Sequence, residues 1–447
     1  MKVVLSTTAL AVGCVGSAQS KAMDTSKTLR RFAFGSNIHQ DLPQPIWRAI
    51  EKTNPELFLS LGNNIYGDDT KYEWKSLTQG IDRDAEPVGL QEKYEKQRNN
   101  SDYARFVEST PVVGIWDDHD YGSNDGNKEF DHRELSQELF LDFIGELEDS
   151  PRRTQAGIYT SYTFGSGDQA VKLLLLDNRY HKDPYVSKHA KKNVTDFNGQ
   201  NGDILGEAQW TWLAAQLYES TAAFHVIGSA LQVLPNDRWF GTESYSAFSV
   251  AHRRFVDLLQ VSNASGVVLL SGNVEFAEIN QVQCGATNAF KLTEVTSSGL
   301  THSALEWTIS PFHLASAFWY TVSNALLPWH YRLNRRAHFG GLNFGDVQFD
   351  WTTSPPTAVV SVKDVRGRVK LQTVFPSTKF GEPAENTGCE PIHAVSPGSV
   401  MVRVMALFAI MTVFFASVLV NVVVVVVVPL QILRRLVFGQ PVKPKAD

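Results

Sequence analysis

The chain is short of basic residues, of cysteine and of sequence repeats. Its 41 Lys and Arg are outnumbered by 47 Asp and Glu, which gives a formal net charge of -6. That balance provides no broad basic surface, which argues against nucleic acid as the main partner. Three cysteines leave room for one disulfide. Neither an internal repeat nor a long linker divides residues 28–395, so we expect one large body domain there.

The residues that are abundant indicate a globular protein with a large core. Hydrophobic residues make up 43% of the 447 positions and aromatic residues 11%, which is ample for a folded body. Residues 1–20 carry Lys2, an apolar stretch and then small residues, a pattern typical of a signal peptide. The alternative is a buried first strand.

The C-terminal region predicts a membrane anchor. Residues 404–428 are almost entirely apolar, and about 20 such residues suffice to cross the hydrocarbon core. The basic tail, residues 429–447, then predicts a cytosolic C-terminus by the positive-inside tendency. We therefore expect a single-pass type I protein of the secretory pathway or cell surface, with its body extracellular or lumenal.

Covalent features fit that topology. Cys284 and Cys389 remain once Cys14 leaves with the signal peptide, and an even pair in an oxidising compartment favours a disulfide over two free thiols. Sequons that start at Asn99, Asn193 and Asn263 could carry glycans, although such tripeptides also arise by chance.

Short apolar runs alternate with helical patterns through most of the body, which favours an α/β architecture. Towards its end, residues 347–351, 357–363 and 369–375 are spaced like a β-meander. The aromatic segment 305–333 has two interpretations. We favour a helical cover over the body, and the alternative is a segment that rests on the membrane.

Polar clusters follow five of the predicted strands. In open α/β sheets ligands gather at the carboxyl ends of strands, so these clusters are expected to form one site. Glycines in several of them let the backbone turn sharply and direct the next side chain into a shared pocket. The clusters are Gly35-Ser36-Asn37, Gly62 to Tyr66, Asp117 to Asp120, Asp177 to Arg179 and Ser271 to Glu275.

The segments FGSNIHQDLPQPIW, LFLSLGNNIYGD, VVGIWDDHDYGSND, LLLLDNRY, LGEAQWTWL, ALQVLP, VVLLSGNVEFAEI, LTEVTSSGLTHS and LNFGDVQFDW resemble, in order, the blocks of PhoD-like phosphatases. This is the alkaline phosphatase D group of metallophosphoesterases, and the resemblance covers about residues 30–375. It implies a four-layer αββα sandwich, followed here by the meander and one transmembrane helix. It also implies a two-metal centre of iron and calcium.

The same resemblance identifies six metal-ligand positions, and four of them carry unusual residues here. Asn37 stands where family members usually have cysteine, Asn63 and Asn273 where they have aspartate, and Glu275 where they have histidine. The two remaining positions, Tyr66 and Asp118, match. Because an amide has no charge and its NH2 group repels cations, Asn63 cannot bridge two metals as aspartate would. We expect at most one Ca²⁺ or Mg²⁺ on this oxygen-rich set.

The phosphate-facing residues are better preserved. His119 matches the histidine that assists phosphoryl transfer in the family, Arg179 could grip phosphate oxygens, and His302 either faces the pocket or packs locally. The sequence thus predicts a pseudoenzyme with reduced or lost phosphoesterase activity, which binds a phosphorylated small molecule or a protein partner. The alternative is an active phosphomonoesterase or phosphodiesterase with a rebuilt metal site, and a purely structural surface protein is a third.

Overall fold

The computed structural model describes most of the body and the C-terminal helices. The residues that it describes are 21–68, 84–185, 201–237, 243–262, 264–284, 290–306, 313–379, 389–393 and 396–439. The predicted signal peptide and the sequons at Asn193 and Asn263 lie outside these ranges, and those predictions stay untested. Asn99 is described, and it is exposed at the C-terminal end of a helix.

The described residues contain fourteen strands, which form two sheets. The first sheet has the order β13-β12-β11-β1-β2-β3, and the second has the order β10-β8-β9-β7-β6-β5-β4, with β14 paired to β8. The strands are β1 Arg31–Gly35, β2 Phe58–Leu61, β3 Val112–Ile115, β4 Thr160–Phe164, β5 Val171–Leu175, β6 Phe224–Ser229, β7 Val267–Ser271, β8 Ala277–Cys284, β9 Phe290–Ser297, β10 His338–Phe339, β11 Asn343–Asp350, β12 Thr357–Asp364, β13 Val369–Pro376 and β14 Cys389–Pro391.

Ten α-helices lie between and after these strands in the described residues. They are α1 Ile46–Glu51, α2 Pro87–Arg98, α3 Ser101–Ser109, α4 Asp118–Tyr121, α5 Arg133–Ile144, α6 Gly206–Tyr218, α7 Ser249–Ser262, α8 His313–Leu326, α9 Pro397–Val422 and α10 Val428–Phe438. A π-helical segment, Val423–Val427, joins the last two.

The main core lies between the two sheets. One apolar cluster joins Phe34 and Leu59 of the first sheet to Leu173 and Val226 of the second. Successive side chains of a strand point to opposite faces, so the alternate residues of β5 to β7, such as Leu174, form a second cluster on the other side. This double burial is why these strands read as continuous apolar runs.

Helices cover the outer face of each sheet. On the first sheet, Trp47 of α1 and Phe106 of α3 pack on Phe58 of β2, with ring centroids 5.1 and 5.7 Å from it. On the second, Trp210 of α6 and Phe255 of α7 belong to the outer cluster. The body therefore has the four-layer αββα arrangement that was expected.

The C-terminal meander is confirmed. Strands β11, β12 and β13 pair antiparallel, and β11 also pairs with β1 at the centre of the first sheet. Gly367, in the turn between β12 and β13, has a φ of 77°, which glycine adopts without strain. The disulfide between Cys284 and Cys389 is also present, and it links β8 to β14.

The chain forms two compact units, and the second contains the apolar C-terminal helix. The first unit lies within residues 1–309 and 331–392, and the second within 310–330 and 393–447. The aromatic helix α8 thus groups with α9, whereas the expectation was a cover for the body. The helical part Pro397–Asn421 is the one described helix that is long and apolar enough to cross a membrane, with a mean hydropathy of 2.3.

Gly345 tests the packing between β1 and β11. A Cβ atom at Gly345 would lie 2.0 Å from the Phe34 ring on the paired strand. We expect Gly345→Ala to lower the free energy of unfolding by about 1–3 kcal/mol, because a full core has to shift to admit the methyl group. Thermal denaturation of the full chain in detergent measures this.

Gly89→Ala is the matched control. Gly89 lies in α2, and a Cβ there would meet no atom within 4 Å. Alanine stabilises a helix by about 0.5–1 kcal/mol relative to glycine, so this variant should melt at the same temperature or higher. An unchanged melting temperature for Gly345→Ala would contradict the close packing of Phe34.

Candidate functional site

The carboxyl ends of parallel strands from both sheets meet at one place. Ser36, after β1, and Ser298, after β9, form a parallel bridge between the sheets. The backbone N–H of Ile38 donates to the carbonyl of Asn63, 2.7 Å away, and that of Thr301 donates to the carbonyl of Asn37 at 3.2 Å. These bonds bring the loops after β1, β2 and β9 together, as the sequence predicted for the strand ends.

The four positions at which the family resemblance implies changed metal ligands share an unusual backbone conformation. The φ angles are 67° at Asn37, 49° at Asn63, 70° at Asn273 and 59° at Glu275. Asparagine enters this left-handed region more readily than most residues, since its short side chain can bond locally. Glutamate has no such advantage, so Glu275 is held in a strained conformation by its surroundings.

Two glycines allow the loops to approach closely. Gly62 has a φ of 95°, and a Cβ there would lie 2.6 Å from Cβ of Asp117. A Cβ at Gly272 would lie 2.5 Å from the Ser36 hydroxyl and 2.8 Å from the Leu61 carbonyl. Neither loop could carry a larger residue without moving its neighbour.

Asn37 presents an amide nitrogen rather than an oxygen to its surroundings. The hydroxyls of Ser36 and Ser298 both donate to Asn37 Oδ1, each at 3.0 Å. The Nδ2 atom is buried and has no hydrogen-bond partner within the described residues. An N–H group repels a cation and the Asn37 oxygen already accepts two hydrogen bonds, so this position does not supply a metal ligand in this arrangement.

Asn63 also has its oxygen engaged. The backbone N–H of His119 donates to Asn63 Oδ1 at 3.3 Å and to Asp118 Oδ1 at 3.0 Å. The Asn63 amide thus fixes the first turn of α4, which contains Asp118 and His119 and follows β3. Asn63 is 1% exposed, so its neutral side chain helps to place Asp118 without adding a buried charge.

Tyr66 is packed between two imidazole rings and touches a third. Its ring stacks on His119 and His39 with centroid distances of 4.1 and 5.0 Å, and its hydroxyl lies 2.7 Å from His302 Nε2. His302 Nε2 is 3.6 Å from the carboxylate of Glu275. Burial, and then the carboxylates of Glu275 and Asp118, raise the pKa of Tyr66 well above its usual value. The structure therefore places His302 in the pocket.

His119 carries a positive charge across the neutral pH range. Burial lowers its pKa, but the carboxylates of Asp118 and Asp68 outweigh burial and raise the pKa to about 10. Its Nδ1 lies 2.6 Å from Asp68 Oδ1. His119 can therefore act as an acid or as an electrostatic group, and its partner Asp68 was not among the predicted site residues.

Arg179 has a different environment from the one expected for a phosphate ligand. It is fully buried, and its five N–H donors point to Asp117, Glu243 and the carbonyl of Gly126 at 2.5 to 3.3 Å. Binding phosphate through this guanidinium would require buried ion pairs to open first. The geometry thus speaks against the predicted gripping role and supports a structural one.

Sequence reasoning missed two carboxylates that lie beside Asp118. Oxygens of Asp118, Asp125 and Glu243 lie within 4.8 Å of one another, close enough to hold a cation. Asp125 could have been found from its place in the Asp- and Gly-rich loop after Asp118. Glu243 offered no such signal, since it does not directly follow a predicted strand. Burial, and then Glu243 and Asp118, raise the pKa of Asp125 to about 8.

Buried cations already compensate much of this acidic cluster. Arg179 and Lys182 contact the Glu243 carboxylate at 2.6 and 2.8 Å. Burial alone would raise the pKa of Glu243, but the charges and hydrogen bonds of Arg179 and Lys182 outweigh burial and lower it to about 2. The two basic groups thus face two carboxyls whose pKa is lowered, those of Asp118 and Glu243. Burial raises the pKa of the other two, Asp117 and Asp125, to about 8, so a cation bound here would have to displace their protons.

The donor set does not fit a two-metal centre. Two metals about 3.5–4 Å apart need a bridging carboxylate, and Asn63 offers a neutral amide whose oxygen already accepts from His119. The Asn37 oxygen already accepts from two hydroxyls. The remaining oxygen donors that lie close together are those of Asp118, Asp125 and Glu243, and they are chemically suited to one hard cation.

Comparison with known sequences identifies relatives of this chain. The family model described as PhoD-like phosphatase matches residues 32–354, well over half of the chain. The curated protein "Alkaline phosphatase D" of Bacillus subtilis (strain 168) is 24% identical over 254 residues. That match spans 51% of this chain and 42% of the relative, so less than half of the relative's length is matched.

One solved structure supports the fold. "Structure of PhoD" superposes with a TM-score of 0.56 at 15% identity, over 84% of this chain and 74% of that one. A second structure, "GAP50 the anchor in the inner membrane complex of Plasmodium", has a TM-score of 0.44 at 13% identity, over 80% of this chain and 92% of that one.

Arg179 provides a test of the buried ion-pair network. We expect Arg179→Met to lower the free energy of unfolding by about 3–5 kcal/mol, because Asp117 and Glu243 would be left buried and unpaired. The melting temperature of the full chain in detergent would report this loss. If the variant folds with native stability and loses only ligand binding, the guanidinium faces the ligand.

Lys96→Met is the matched control for a lost ion pair. Lys96 pairs with Asp41 at the surface, and the two side chains are 59% and 48% exposed. Exposed pairs contribute about 0–1 kcal/mol, so the melting temperature of this variant should stay close to that of the unchanged chain.

Proposed function

The chain belongs to the PhoD-like phosphatase family, and we propose that it is a membrane-anchored member with reduced or lost phosphoesterase activity that binds a phosphorylated ligand. The single observation that carries this proposal is the state of the amides. Asn37 and Asn63 both have their amide oxygens engaged in hydrogen bonds, at positions where the family resemblance implies metal ligands. Hydrolysis in such sites depends on metals that generate hydroxide near neutral pH.

The remaining polar groups are suited to binding. His119 brings a positive charge, and Asn37 Nδ2 is a donor that has no partner within the described residues. Asp68, Asp118 and Glu275 carry more negative charge than His119 offsets. A phosphate dianion therefore needs a further cation at this place, and one Ca²⁺ or Mg²⁺ held by Asp118 and Glu275 would supply that charge.

A second candidate function is an active phosphomonoesterase or phosphodiesterase. The observation that favours it is the cluster of Asp118, Asp125 and Glu243 beside His119. An oxygen-rich site of this kind binds hard cations. It would have to activate water without the bridging carboxylate that two-metal hydrolases use. A protein partner on the same surface remains a third proposal.

Two features support the proposed placement at a membrane. Helix α9 is long and apolar enough to cross a bilayer, and basic residues such as Arg434 follow it in the sequence. The disulfide of Cys284 and Cys389 is compatible with an oxidising compartment on the body side. We propose a type I topology in the secretory pathway or at the cell surface.

Metal content tests the proposed loss of hydrolysis. We expect elemental analysis of the purified full chain to give no metal, or one weakly held Ca²⁺ or Mg²⁺. Two firmly bound metals per chain, together with metal-dependent release of phosphate, would contradict the proposal and make the enzyme the leading candidate. The same preparation should be assayed for phosphomonoester and phosphodiester hydrolysis.

A gain of function tests the cause of that loss. The variant Asn37→Cys, Asn63→Asp, Asn273→Asp and Glu275→His restores the implied ligand set, and we expect it to bind more metal than the unchanged chain. Its hydrolytic rate should rise by roughly tenfold or more, since metal-generated hydroxide becomes available. The single variant Asn54→Asp is the control, because Asn54 also has a positive φ but follows α1.

Ligand binding tests the retained pocket. Inorganic phosphate with Ca²⁺ should raise the melting temperature, and a ligand at 100 times its Kd stabilises a folded chain by about 2.7 kcal/mol. Asp118→Asn should abolish the shift. The control Asp168→Asn, at an exposed residue before β5, should keep it. Without any shift in the unchanged chain, the pocket would be a structural remnant.

A further inference from the structure

The aromatic helix α8 and the apolar helix α9 pack together within the second compact unit. The rings of Phe318 and Phe414 stack with their centroids 4.0 Å apart. Trp319 and residues of α9, among them Phe408, Met411 and Leu419, line an apolar groove with a volume of about 790 Å³. Helix α8 thus contacts α9 at Phe414, and the groove beside Trp319 extends along α9 from residue 408 to residue 419.

This contact lies deep in the predicted span. A helix rises about 1.5 Å per residue, so Phe408 and Leu419 lie about 6 and 22 Å from the start of the apolar run at Val404. The hydrocarbon core of a bilayer is about 30 Å thick. If α9 crosses the membrane from the body side, then α8, which packs against it, lies at the depth of the lipid acyl chains.

The composition of α8 fits that depth. Residues 307–331 contain no Asp, Glu, Lys or Arg, and α8 itself reads HLASAFWYTVSNAL. Charged side chains are costly in the hydrocarbon region, and their absence is what a membrane-embedded segment requires. At 14 residues, α8 would extend about 21 Å, which is too short to cross the bilayer alone.

The polar side chains of both helices bond back to their own backbone. In α8, Thr321 donates to the Ala317 carbonyl, and Ser323 and Asn324 donate to the Tyr320 carbonyl. In α9, Thr412 donates to the Phe408 carbonyl and Asn421 to the Ser417 carbonyl. In lipid no water is available, so polar groups must be satisfied inside the segment in this way.

We propose that α8 is a second membrane-embedded element, which enters the bilayer from the body side, lies against α9 and leaves on the same side. Lipid acyl chains occupy the apolar groove at Trp319. This inference rests on the proposed membrane anchoring by α9. The chain thus has a broad membrane attachment of two helices, which fixes the second unit in the bilayer more firmly than a single span does.

Spin labelling of the reconstituted full chain tests the position of α8. Nitroxides would be attached to Thr321→Cys, to Ser417→Cys as the reporter of the span and to Glu108→Cys as the aqueous control, in a Cys14→Ala background. All three residues are exposed within the protein itself. The chain is placed in phosphatidylcholine vesicles, and collision rates with oxygen and with a water-soluble nickel complex are measured.

We expect the labels at residues 321 and 417 to collide with oxygen roughly tenfold more than with the polar nickel complex, which hydrocarbon excludes. The label at residue 108 should show the reverse preference. High nickel access at 321 with low access at 417 would overturn the inference and leave the anchor intact. High nickel access at both positions would overturn the anchor and the inference together.

Low collision rates with both reagents at residue 321 would also overturn the inference, because that result indicates a protein cover rather than lipid. Ala325→Cys is the second variant in case Thr321→Cys does not fold. Ala325 is also exposed on α8 and makes no side-chain hydrogen bond. It should give the same oxygen preference as the label at residue 321.

Discussion

The left-handed backbone at the strand ends is the constraint on which the candidate site depends. Asn37, Asn63, Asn273 and Glu275 each follow a strand and turn the chain with a φ between 49° and 70°. Such turns set where the next side chains lie, whatever the residue at the turn. Asparagine tolerates the conformation well, so an exchange of aspartate for asparagine alters charge without a cost in backbone strain.

The loops are also held by bonds that involve no metal. Ile38 and Thr301 donate backbone hydrogen bonds across the strand ends, and Ser36 and Ser298 donate to the Asn37 amide. These bonds need no metal, because they join protein groups to one another, and the Asn37 oxygen already accepts from two hydroxyls. Asn37 is thus integrated as a structural residue, and the family fold is compatible with a site that has lost its bridging ligand.

The sequence predicted the layers better than it predicted the electrostatics. Strands buried on both faces leave continuous apolar runs such as Leu57 to Leu61, so β2 and its neighbours were located to within a residue or two. Helix α2 has only three buried residues and almost no apolar stripe, so its sequence gives little indication of a helix. The grouping of α8 with α9 was missed, because a continuous aromatic pattern does not specify what covers it.

Arg179 illustrates why the remainder could not be read from the sequence. A fork of five donors suits phosphate and carboxylates equally well. Asp117 and Glu243 are 62 and 64 residues from Arg179 in the sequence, so only the fold brings them into contact with it. With those carboxylates in place, Arg179 and Lys182 compensate the charge of the cluster beside Asp118. The positive charge left for a ligand then comes mainly from His119, whose pKa depends on Asp68 and Asp118. The proposed binding of an anion here would therefore depend on the balance between one imidazolium and its two carboxylates, and a single divalent cation would reverse that balance.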